Sequence, residues 1–395
     1  MTKEEALNPK PNDKIAHLTP EEIDEVIKLY YSGKKVSEIA EAFNIRLSHN
    51  ELSSLLPPIV VIEEECPYCS LPLWKDRSSR SWSIEKDPYC PNCMHTASPH
   101  CNCINCRTER ERLTALEEER KRKILSEIVR LENYEPVEYQ DLTLTQRTYT
   151  GAVLRAGFSE DMSVIKPFDS FDEPLSPTKE LDREIFDALT KSEILKISPE
   201  SPITAFAEVE DDGNFTYYIY KVYLHLNLTS SETDRLWIID RLINPPKHNE
   251  SDVDKVLMLW RKIALSECIQ YLLYNMDQVG FDFNPGKKTN LVFEDLLLKF
   301  STSQIFGIIW SGVTHASRYF QEGNVSRKQA ANSVITNCQR YGEKAILNKW
   351  DLKEFNRVKE CPQTSLSKIF YNRVLGIGDS GFYEIPRILY SDGEG

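Results

Sequence analysis

The sequence is poor in the features that mark common catalytic motifs and helical membrane spans. Glycine is scarce, with 15 in 395 residues, below the usual share of about 7%. No phosphate loop, nucleophile elbow or His-Glu-x-x-His occurs. Gly376-x-Gly378-x-x-Gly381 formally matches a dinucleotide loop, but it follows a helical segment and reads as a turn. The apolar runs at 55–62 and 305–310 fall far short of the roughly 20 residues a spanning helix needs. Residues 1–14 are polar throughout, unlike a secretory signal. The expectation is a cytoplasmic protein with no membrane partner. Positive charge is also short, with 48 Lys/Arg against 61 Asp/Glu, a net of −13. That excludes unspecific polyanion binding by the whole surface and leaves room for a local basic face.

What is present is a local concentration of cysteine. Seven of the ten cysteines fall between Cys66 and Cys106. Clustered Cys-x-x-Cys pairs in an intracellular chain point to a metal rather than to disulfides. Cys66-Pro67-Tyr68-Cys69 and Cys90-Pro91-Asn92-Cys93 are two such knuckles, separated by twenty residues. Four thiolates in tetrahedral array suit structural Zn²⁺. The spacer, with Leu71, Leu73, Trp74, Trp82 and Ile84, suits a small hairpin. The whole resembles a zinc ribbon. Directly after it come His95, His100, Cys101, Cys103 and Cys106, enough for a second Cys₃His site with either histidine as fourth ligand. One zinc is expected, and a second is possible. A catalytic zinc keeps a position open for water, whereas four thiolates leave none. His49-Asn50-Glu51 matches the His-x-Glu of zinc deaminases formally, but no proline precedes Cys90.

Before the cysteines, residues 18–58 read as three short helices. Thr19-Pro20-Glu21-Glu22 is a capping box with proline at the first helical position. Gly33 closes that helix, and Asn44 closes the next. The stretch VIKLYYSGKKVSEIAEAFNI resembles helix-turn-helix domains of the bacterial repressor and recombinase type. The resemblance implies that a third helix reads DNA through His49, Asn50 and Ser53, with Arg46 on phosphate. Lys75, Arg77 and Arg80 of the cysteine module add further phosphate contacts. Against this, residues 1–60 carry seven basic and ten acidic side chains, and phosphate binders are normally basic on the contact face.

The chain therefore reads as mainly α, multi-domain, with a small zinc-ribbon β module and a central β-hairpin. The divisions are a disordered lead (1–17), the helix-turn-helix-like module (18–58), the cysteine module (59–106) and a connector helix (107–134). An acidic, proline-punctuated linker with helices (135–204), a hairpin (205–230), an all-α domain (231–380) and a tail (381–395) follow. The functional expectation is a non-enzymatic, zinc-stabilised regulatory or accessory protein that binds nucleic acid, DNA first. The alternative is an adaptor that binds protein, or self-associates, through 231–380. A third reading places an enzyme site in 231–380 around Glu267 or His315.

Overall fold

In a computed structural model, residues 1–47, 52–80, 86–230, 233–323 and 325–388 are described. The chain is mainly helical, and its four sheets have two strands each among these residues. It divides into two compact units, Met1–Arg120 and Lys121–Gly395. No helix among the described residues is long and apolar enough to cross a membrane.

The first unit begins with α1 (Lys3–Leu7), capped by Thr2 and Glu5. The sequence reading left this stretch as a disordered lead; instead Ala6 and Ile15 are fully buried. The reason is tertiary: the Ala6 carbonyl accepts a hydrogen bond from the distant Trp74 Nε1 at 2.7 Å, and Ile15 joins the helical core. α2 (Pro20–Tyr31) starts at the expected capping box, and Gly33 ends it at φ +95°. α3 (Val36–Ala42) follows, then Asn44 at φ +50°, a left-handed turn that asparagine tolerates. α4 (Leu52–Leu55) completes the group. Val26, Tyr30, Ile39, Ile45, Leu52 and Leu55 form its core with Ile15.

β1 (Ile59–Glu65) and β2 (Pro72–Lys75) pair antiparallel, Val60 opposite Trp74. α5 (Ile104–Ile128) carries the chain from one unit into the other. Most of its surface is exposed, as expected for the connector; Leu125 near its end is buried.

The second unit holds one extensive apolar core. Its elements are β3 (Val137–Glu138), α6 (Leu144–Gly157), α7 (Lys179–Lys191), β4 (Leu195–Ile197), β5 (Phe206–Val209) and β6 (Phe215–Tyr217). β7 (Leu224–Leu226), β8 (Leu228–Thr229), α8 (Arg235–Ile243), α9 (Val253–Gln278), α10 (Lys287–Leu297), α11 (Thr302–Gln321) and α12 (Arg327–Leu347) follow. α13 (Ser365–Lys368) runs on into a π-helical turn, Ile369–Val374, and α14 (Ser380–Tyr383) is last.

Residues 135–204 are not a linker. Tyr149, Val153, Leu154, Ile185 and Phe186 lie in the same core as Trp260 and Phe306. The acids and prolines that suggested a linker sit around these apolar positions. The expected hairpin exists as β5–β6, with Phe206 opposite Tyr217, but the strand does not run on to 228. β7 pairs with β4 and β8 pairs with β3, so Tyr218 is exposed while Val222 and Leu224 are buried. The tail is also partly core, since Phe382 is buried.

Candidate metal centre

The two knuckles are conformational twins. In the first, Cys66 N–H donates to Leu71 O at 2.8 Å and Ser70 N–H to Cys66 O at 2.9 Å. In the second, Cys90 N–H donates to His95 O and Met94 N–H to Cys90 O, both at 2.8 Å. The residue after each second cysteine is left-handed, Ser70 at φ +52° and Met94 at φ +59°. Each turn aims the backbone N–H groups of the two residues before it at the first cysteine's sulfur. The strands set the knuckles side by side: Trp74 and Tyr89 exchange both backbone hydrogen bonds, at 2.7 and 2.8 Å.

The sulfurs of Cys66, Cys69, Cys90 and Cys93 all lie within 4.8 Å of one another. Cys66 and Cys93 are 3.6 Å apart. A tetrahedral ion with bonds of about 2.3 Å places its sulfurs roughly 3.8 Å apart. Asn92 Nδ2 donates to Cys69 Sγ at 3.4 Å, the kind of outer-shell contact that orients a ligand. Burial pushes the Cys66 and Cys93 thiols up. At Cys90 burial also acts upward, but N–H groups of Cys93 and Asn92 outweigh it and the thiol is drawn down. Four sulfurs this close cannot all carry charge without a cation among them.

The second set is His95, Cys101, Cys103 and Cys106, again within 4.8 Å. His95 Nδ1 stands 3.1 Å from Cys106 Sγ, 3.6 Å from Cys101 Sγ and 3.8 Å from Cys103 Sγ. A mixed N/S tetrahedron calls for roughly 3.5 Å. Both sets thus fit a metal ion. Of the two histidines left open by the sequence, only His95 joins the set. His100 is exposed, and its N–H donates to Ser98 Oγ. The choice follows from the chain path. The His95 carbonyl closes the second knuckle, and its ring packs edge-on against Tyr68 with centroids 5.1 Å apart. One residue therefore builds the first set with its backbone and the second with its side chain.

Cys103 sits just before α5 and its Sγ accepts the Cys106 N–H at 3.4 Å. A cysteine sulfur takes the N-cap role usual for serine, at the start of a long helix. At Cys101 burial acts upward, but N–H groups of Thr96 and Cys103 prevail and hold the thiol near about 6.

The residues assigned to nucleic acid do not converge in the same way. Arg46 is exposed, and Lys75 is half-buried on β2. His49 and Asn50 lie outside the described residues. Ser53 is buried at 8% exposure, because it faces Tyr30 inside the helical core. Arg77 Nε donates to Pro57 O at 2.8 Å. Arg80 Nη1 donates to Tyr30 O at 3.0 Å and Lys34 O at 2.6 Å, with its guanidinium 5.0 Å from the Tyr30 ring centre. Tyr31 Oη donates to Ser78 O at 2.8 Å. The loop after β2 thus braces the end of α2 through Arg80, while Arg77 ties it to Pro57 beyond α4.

In the second unit, Glu267 is buried and does not meet His315, which is exposed. Arg357 donates to it at 2.9 Å, Ser367 Oγ at 2.7 Å and Tyr371 Oη at 3.3 Å. A buried carboxylate with three donors is a satisfied structural network. Sequence reasoning missed this set because Arg357 and Tyr371 lie about a hundred residues further along the chain. The glycines of 376–381 form a turn, with the N–H groups of Ile377 and Gly378 donating to Tyr371 O. No protein family, curated protein or solved structure matches the chain.

Proposed function

We propose that residues 59–106 form a two-zinc structural module, a zinc ribbon followed by a Cys₃His site. It braces the helix-turn-helix-like group of the first unit, and that unit binds nucleic acid, with DNA favoured. Both metals have closed protein shells, so they stabilise rather than catalyse. The observation that carries the reading is the left-handed Asn44 that closes α3, joined to a loop after β2 that grips α2 through Arg80 and Tyr31. Such bracing holds a short helical module rigid enough to dock in a groove.

One observation favours the alternative, a protein-binding adaptor. Arg77 and Arg80 are engaged inside the unit and Ser53 is buried, which leaves Arg46 as the exposed cation of the sequence-assigned set. The experiment measures metal content and titrates labelled duplex DNA at several salt concentrations, before and after chelation. Two zinc ions per chain, with chelator-sensitive binding that weakens as salt rises, support the proposal. No binding at low salt, or binding without a salt slope, overturns the DNA reading. A stable complex with another protein and no shift of DNA would establish the adaptor.

A further inference from the structure

The second unit holds a cavity of about 220 Å³ with a different chemistry. It opens at the first turn of α6, where Thr143 Oγ1 accepts the Gln146 N–H at 3.2 Å and the positive end of the helix dipole remains. Arg147, Lys247, His248 and Lys255 line it, against one carboxylate, Asp252, which pairs with Lys255 at 3.0 Å. The lining is therefore net positive in a chain that is strongly acidic overall.

Arg147 and His248 are held in place. Arg147 Nη2 donates to the carbonyls of Tyr139 at 3.4 Å and Gln140 at 3.0 Å, and the guanidinium lies 4.8 Å from the Tyr139 ring centre. Yet Arg147 Nε is buried with no partner. That N–H is closed to solvent, so what Arg147 brings to the cavity is the positive charge of its fixed guanidinium. His248 is fixed by Val374 O, which lies 2.9 Å from Nδ1 and 3.0 Å from the backbone N–H. Lys247 lies along Gly376: a Cβ there would stand 3.5 Å from the lysine Cδ.

We propose that this cavity binds a phosphoryl group, as a phosphate monoester or inorganic phosphate. The donors come from α6, from the loop at 245–249 and from α9, so they surround the space rather than forming the single planar fork that suits a carboxylate. A helix N-terminus adds to the same sign. The volume is below the roughly 300–1,000 Å³ of clefts that enclose a whole drug-sized ligand, so the group enters and the rest of its molecule stays outside. Nothing in this depends on the zinc module or on DNA binding by the first unit.

The test uses the full-length protein and calorimetric titration with inorganic phosphate, with chloride at matched ionic strength as control. A nucleoside 5′-monophosphate and one oligonucleotide with and without a 5′-phosphate follow. Phosphate should bind, and Lys247→Glu and Lys255→Glu should each weaken it about tenfold. Both lysines are exposed, and an unchanged circular dichroism spectrum checks that the variants fold. Tighter binding of the 5′-phosphorylated oligonucleotide assigns the group to a nucleic-acid end; equal oligonucleotides with a bound mononucleotide assign it to a small ester. Phosphate binding no stronger than chloride, or unchanged in the double variant, overturns the proposal. DNA binding that survives that result would still support the separate reading of the first unit.

Discussion

The two units reach stability by different means. The six largest fully buried side chains, Trp260, Tyr371, Phe293, Phe306, Phe370 and Phe382, all belong to the second unit. Among the described residues, the apolar cluster of the cysteine-rich part is small: Cys66, Leu73 and Cys90, with Val61, Cys69 and Cys93 packed against it. A core that small cannot offset the conformational entropy of forty ordered residues. Where apolar mass is missing, there are two sets of four side chains that fit a metal ion. The second unit meets the same entropy with an extensive apolar core, and it buries Glu267 where Arg357, Ser367 and Tyr371 donate to it.

Chelation is the largest perturbation of this contrast. Structural zinc contributes about 10–16 kcal/mol to the folding of small zinc modules. A strong chelator should abolish the transition of the first unit in scanning calorimetry and leave that of the second in place. Loss of both transitions, or of neither, would break the comparison.

A finer cut separates the two sets. His95→Ala should reduce the metal content from two ions to one, because it removes a ligand and keeps the backbone carbonyl that closes the second knuckle. His100→Ala should leave two. Mass spectrometry under native conditions reads both outcomes.

The reverse perturbation acts on the second unit. Phe306 stacks on Tyr271 with centroids 3.8 Å apart and meets Phe382 edge-on at 5.1 Å. Phe306→Ala should cost about 3–5 kcal/mol by leaving a cavity. The calorimetric transition of the second unit should fall with the metal content unchanged.

The smallest expected effect depends on pH. Burial raises the Asp182 carboxyl, although Ser176 donates to it. Its folded value lies above the unfolded one, so it favours folding in acid and loses that contribution as pH rises through the folded value. Asp182→Asn keeps an acceptor for Ser176 and should raise the melting temperature at pH 7, with the gain fading toward pH 4. Glu173 has the opposite sign. Burial acts upward on it, but Lys368, Ser365 and Arg155 prevail and hold it down. Its contribution is present above the ordinary carboxylate range and is lost on acidification. Glu173→Gln should therefore cost most at neutral pH.

What could be read from sequence alone was what depends on neighbours along the chain. The Thr19–Glu22 capping box, the Asn44 turn and the four knuckle cysteines each involve residues a few positions apart, and all appear where expected. The choice of His95 over His100 depends on how the chain leaves the second knuckle, a tertiary matter. Residues 135–204 misled because acids and prolines punctuate them, while the apolar positions that decide burial, such as Tyr149, Leu154, Ile185 and Phe186, are spread over several short elements. Arg77 and Arg80 looked like phosphate contacts because charge is visible in sequence and carbonyl acceptors across a fold are not.

His95 has a further consequence. Its carbonyl and its imidazole belong to different metal sets, so neither set can be formed with the residue elsewhere. An ion in the first site fixes the turn that presents Nδ1 to the second, and an ion in the second holds the residue whose carbonyl closes the first. Linkage makes this aid equal in both directions. The two ions should load cooperatively, so that singly metallated protein is less populated during a titration than two independent sites would give.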